Sequence, residues 1–110
     1  MATREIKWTY RAIKDKIAIY EYWIRKNKSI SYPKKLESLF NEVMTLTAIF
    51  PEAGMQTELD GIRIRVVKHF QLVYRITDAT IEVLTVWDSR QNPKKLKIKT
   101  PANFLLEFLF

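Results

Sequence analysis

Four arginines and one histidine fall in the second half of the chain at spacings that could hold an anion. On "IRIRVV", residues 62–67, period-two alternation puts Arg63 and Arg65 on one side of a strand and Ile62, Ile64 and Val66 on the other. The next run, "FQLVYRI", sends Gln71, Val73 and Arg75 one way and Phe70, Leu72, Tyr74 and Ile76 the other. If helices cover the isoleucine side, aligned pairing gathers Arg63, Arg65 and Arg75 on one open sheet face. Arg90, just past "LTVWD", would stand at its rim. Guanidinium groups grip phosphate or carboxylate oxygens as a two-pronged fork, so this face could hold a nucleic-acid backbone or an acidic chain. It could equally do no more than solubilise an uncovered sheet.

Asp88 lies two residues before Arg90. It either holds the guanidinium as an ion pair or closes a local turn through its own backbone, and the sequence leaves both open. His69, the one histidine, is the only side chain whose ordinary pKa is near neutrality. It is the candidate for proton transfer, with simple exposure on a turn as the alternative. Tyrosines and tryptophans fall at helical or strand-facing spacing, which favours packing over base stacking. No glycine-rich phosphate loop, nucleophile elbow or carboxylate cluster occurs.

These residues need elements to position them. "REIKW", residues 4–8, reads as a short strand, and Thr9 as the cap of a following helix. Ile13, Ile17, Tyr20 and Ile24, widened by Trp23, predict the apolar stripe of that helix, which ends near "RKNKS". Ser31 and Pro33 start a second helix with Leu36, Leu39, Phe40, Val43, Leu46 and Phe50 as its stripe. "FPEAG" ends it, and the short connection predicts an antiparallel helical hairpin. After Gly61 the period changes to two. A turn near Lys68 and His69, and "DAT" further on, divide three strands of an antiparallel meander. The expected fold is therefore α+β in the order β-α-α-β-β-β, with an N-terminal helical hairpin on one face of an antiparallel sheet.

Composition sets the outer bounds. The chain's 110 residues suit one domain, 1–110, in which 97–110 reads as a C-terminal extension. Its apolar end, "NFLLEFLF", either packs back on the domain or marks a protein contact. Cysteine is absent, so cohesion comes from packing, and one histidine without cysteine suggests neither a metal site nor a cofactor. Nineteen Lys and Arg against twelve Asp and Glu give a formal charge of +7, suited to a polyanion or an acidic protein. No signal-like start and no bilayer-length apolar run occur, so a cytoplasmic location without membrane contact is expected.

Five segments in order, "WTYRA", "IYEYW", "FPEAG", "RIRVVKHFQLVYRI" and "IEVLTVWDSRQNP", resemble the RelE/ParE superfamily of toxins from bacterial type II toxin-antitoxin modules, from about Ile6 to Leu96. The resemblance implies a toxin held inactive by a cognate antitoxin, as a homodimer or a toxin-antitoxin hetero-oligomer. RelE-like members cleave mRNA on the ribosome, and ParE-like members inhibit DNA gyrase without being enzymes. By position, the RelE-like basic site falls on Arg63, Arg65 and Arg90. Gln71 stands where that family has another arginine, and Leu96 near where it has a late tyrosine. The expected function is RelE-like cleavage with Arg63, Arg65, Arg75 and Gln71 binding the target and His69 and Arg90 catalytic. The alternatives are gyrase inhibition, or a weakly active toxin that chiefly binds its antitoxin.

Overall fold

A computed structural model describes residues 3–90. Its elements are β1 (Glu5–Trp8), α1 (Tyr10–Asn27), α2 (Ser31–Ile49), a 3₁₀ turn (Pro51–Ala53), β2 (Met55–Gln56), β3 (Ile62–Val67), β4 (Phe70–Ile76) and β5 (Thr80–Asp88). They form one five-stranded sheet in the order β1-β5-β4-β3-β2, with the helical hairpin packed on it. The α+β layering and the β-α-α-β-β-β order are those expected. Two features are additional: β2 is a two-residue edge strand on β3, and β1 joins the far side of β5 in parallel, Glu5 opposite Thr80 and Trp8 opposite Val83. Leu96 and the expected extension 97–110 lie outside the described residues.

Thr9 caps α1 as its chemistry predicts, its hydroxyl oxygen accepting the Ala12 N–H at 3.1 Å. The same hydroxyl donates to the Leu84 carbonyl at 2.9 Å, so the cap also fastens the helix to β5. Lys28, with φ 56°, ends α1 in the left-handed conformation and returns its N–H to Ile24.

The stripe on α1 differs from the one its isoleucines suggest. Ala12 and Ile19 are buried, with Tyr20 and Trp23 packed beside them, whereas Ile13, Ile17 and Ile24 are exposed. A small residue at Ala12 lets the helix backbone approach the sheet, and Asp15 turned toward β5 fixes the rotation. On α2, Leu36, Phe40, Met44 and Ala48 are buried, Leu39 and Val43 half-buried, and Leu46 and Phe50 exposed. Between the helices Glu37 accepts from Lys16 at 3.0 Å and from the Tyr20 hydroxyl at 2.5 Å, and Lys16 lies 3.9 Å above the Trp8 ring. Burial, with the Glu37 carboxylate adjacent, drives the Tyr20 pKa far up, so it stays a neutral donor.

Beneath the helices Phe40 meets Phe70 edge-on at 5.5 Å, and Leu72, Tyr74, Ile81 and Val83 complete the core. Tyr74 is fully buried, and its hydroxyl donates to the Pro51 carbonyl at 2.6 Å and accepts the Gly54 N–H at 2.9 Å. That contact requires glycine, since a Cβ at Gly54 would lie 2.5 Å from the Tyr74 oxygen and 2.8 Å from the Ile64 carbonyl.

The expectation that helices cover the isoleucine side of β3 is overturned by strand register. Arg63 pairs with Tyr74 and Arg65 with Leu72, while Ile62 pairs with Arg75 and Ile64 with Val73. Paired residues share a face, so Arg63 and Arg65 look toward the helical layer. Ile62 and Ile64 form a second cluster with Val73 and Trp87 on the reverse.

Candidate functional site

The same register separates the residues expected to act together. Arg75 and Gln71 are on the reverse face and Arg63 and Arg65 on the helical face, so the single arginine face does not form. Arg63 donates through Nη1 to the Gly54 carbonyl at 2.8 Å and the Glu52 carbonyl at 3.2 Å, which ties one prong of its guanidinium to the segment of the 3₁₀ turn. Arg75 donates to Glu82 at 2.7 Å on the surface. Gln71 is buried against the Trp87 strand position, its Oε1 without a hydrogen bond among the described residues. Arg65 is half-exposed near the middle of the helical face. Arg63 sits four residues from Val67, or roughly 13 Å along the strand, from the end where Asp88 lies.

At that end the structure does assemble a cluster. The β3–β4 hairpin turns through Lys68 and His69, and Phe70 pairs with Asp88, so the tip of the hairpin meets the end of β5. Ser89 secures the junction, its N–H and hydroxyl both donating to the His69 carbonyl at 2.9 Å and 2.7 Å. Asp88 is buried, with Oδ2 3.8 Å from His69 Nε2 and Oδ1 3.7 Å from Arg90 Nε. Oδ1 also accepts the Arg90 N–H at 3.0 Å. Both readings of "DSR" therefore hold at once: the carboxylate closes a local turn and faces the guanidinium that the turn presents.

His69 is not a freely exposed turn residue. Its ring lies 4.1 Å from that of Phe70, and Nε2 is buried without a hydrogen bond among the described residues. Burial lowers its pKa below the ordinary 6.5. The Asp88 carboxylate opposes that shift, and the charges of Arg90 and Lys68 add to it. Neutral imidazole is the favoured form near pH 7. Tyr74 is committed to structure: both hydroxyl contacts serve the 51–54 turn, and burial raises its pKa.

Arg90 reaches across to α1, where its Cζ stands 5.6 Å from the Trp23 ring centroid. Lys26 Nζ stands 5.3 Å from the same ring. Tyr22, Lys26, Asp88 and Arg90 line a hollow of about 260 Å³. Sequence reasoning missed Tyr22, Trp23 and Lys26. The available signal was Trp23 and Lys26 one helical turn apart near a basic C-terminus, but which strand end they would meet depends on the pairing of β1 with β5. The cluster can bind an anion through Arg90 and Lys26. Of the two imidazole nitrogens of His69, Nε2 is buried on the Asp88 side, and the side chain keeps about a fifth of its surface exposed.

A hairpin of helices on a mainly antiparallel sheet is the architecture that the resemblance to RelE/ParE toxins implied. Residues 6–93 match the family model described as ParE toxin of type II toxin-antitoxin system, parDE, and the chain belongs to that family. Among solved structures, the chromosomal ParDE toxin-antitoxin system from P. aeruginosa is similar over 76% of this chain and 94% of its own, with 22% identity and a TM-score of 0.65. At that identity the likeness is one of fold. The E. coli DinJ-YafQ toxin-antitoxin complex is similar over 81% of this chain and 96% of its own, with 21% identity and a TM-score of 0.45. No curated protein matches. Among the described residues no helix is long and apolar enough to cross a membrane.

Proposed function

We propose that this toxin acts by docking on a protein target, DNA gyrase, without cutting RNA, and that a cognate antitoxin holds it inactive. The observation that carries the reading is the dispersal of the arginines that would have to converge on a phosphate. Cleavage through a 2′-hydroxyl needs an accessible acid and base and cations converging on the phosphate. Here the Tyr74 hydroxyl is fully used, and Arg63, Arg75 and Arg90 serve three separate places. Docking needs none of that chemistry, and membership of the ParE toxin family supports it. The antitoxin is supported by that family and by the ParDE system of similar fold.

Adding the purified toxin to a gyrase supercoiling assay tests the proposal. Inhibition is expected, with ribosome-bound message left intact. Message cleavage with untouched supercoiling would reverse the choice. That second reading, RelE-like cleavage, has one observation in its favour: His69, Asp88 and Arg90 lie together.

A further inference from the structure

Two cations converge on one indole. Lys26 and Arg90 both stand over Trp23, and the ring is further enclosed by Tyr22 and Tyr32, edge-on at 5.2 Å and 4.8 Å. The hollow beside it continues past Tyr22 and Asp88 into a second of about 240 Å³, where Arg25 and Asp15 join the lining. The two acids of this cleft are already engaged. Asp88 is shared between His69 and Arg90, and Asp15 bonds Arg11, Thr85 and Val86. Asp88 offsets Arg90 in part, and Arg25 and Lys26 add positive charge that no other acid lining the two hollows offsets among the described residues. Lys26 and Arg90 face the same ring and line the same hollow, so an anion entering it meets two cations.

We infer that the cleft between the C-terminal half of α1 and the end of β5 is a carboxylate-binding site for an acidic side chain of a protein target, gripped by Lys26 and Arg90. This rests on the reading that the target is a protein. Recognition of a single strand of nucleic acid couples cations to open aromatic faces on which bases stack. Trp23 offers little such face, because its surroundings are filled by Tyr22, Tyr32, Lys26 and Arg90. An exposed Arg backed by aromatics and flanked by Tyr is also the make-up of a protein-binding hot spot.

The test follows the Trp23 indole N–H and the Arg90 side-chain signals of the full-length protein by NMR during titration with poly-L-glutamate and, separately, with poly(U) RNA at matched ionic strength. Poly-L-glutamate should shift both signals, with apparent affinity falling at least about fivefold in Lys26→Met and in Arg90→Ala. Arg75→Ala, on the reverse face, should bind as the parent does. Lys26→Met keeps the apolar stem of an exposed side chain, so its loss of binding is a loss of charge. RNA binding as tightly at the same signals, or glutamate binding insensitive to both substitutions, overturns the inference. A parent protein that binds poly-L-glutamate at the cleft yet leaves gyrase untouched supports this site while removing gyrase as its target.

Discussion

The carboxylate of Asp15 accepts the Val86 N–H at 3.1 Å and the Thr85 hydroxyl at 2.5 Å, closing the edge of β5 beyond the point where β1 stops. A strand edge left there would have an unpaired donor under the helix. Asp15→Ala should therefore lower stability by about 2–3 kcal/mol, the scale of hydrogen bonds to a charged group. Urea unfolding of the two proteins measures it, and a change within experimental error would mean the edge is satisfied without Asp15.

Gly54 and Tyr74 form a second coupled pair. Gly54→Ala should cost about 1–3 kcal/mol by overpacking. Combined with Tyr74→Phe, which removes the oxygen the new methyl would strike, the total should be less than the sum of the single losses. Strict additivity in a double-mutant cycle would contradict the contact.

Lys68 holds φ 57° in the two-residue turn between β3 and β4. A side chain there is strained by roughly 1 kcal/mol, which glycine relieves. Lys68→Gly should raise the midpoint of thermal unfolding, and a fall would refute the assignment of strain.

His69 makes stability depend on pH. Its folded pKa lies below the ordinary value of 6.5, so between those two values the unfolded chain binds more protons. Stability is full above about pH 6.5 and declines as the pH falls toward the folded pKa, levelling off below it. His69→Gln should flatten this part of the profile. A parent protein that gains stability on acidification through the same window would show the shift to have the opposite sign.

Arg75 and Arg90 occupy opposite faces, and growth inhibition on induction should tell them apart. Arg90→Ala is expected to lose at least about tenfold in potency, and Arg75→Ala to keep that of the parent. Equal losses would mean that both faces meet the target.

The legible parts of this fold were those encoded by near neighbours. Thr9 announced a helix start, "FPEAG" a helix end, and the alternation around Lys68 a hairpin, because caps, prolines and period-two runs act over a few residues. The side of β3 that faces the helices was not legible. "IRIRVV" alternates identically in either orientation, and both faces of this sheet bury apolar residues, so burial alone could not orient it. The rotation of α1 was missed for a similar reason, since Ile13, Ile17 and Ile24 of the expected stripe are exposed while Ala12 and Ile19 are buried at the contact. For the site, Asp88 and Arg90 were readable as neighbours in sequence, whereas their meeting with His69, Trp23 and Lys26 is a product of tertiary structure.

The place of β1 has a consequence for how the chain is made. Among the described residues its one strand partner, residues 80–83 of β5, is synthesised some seventy-five residues after it. Throughout that interval the two helices can coil, but the layer they are meant to cover is missing, and a contact this distant in sequence closes slowly. The sheet can take in β1 only after residues 80–83 have been made, and a copy cut short before Thr80 would lack that partner for its first strand.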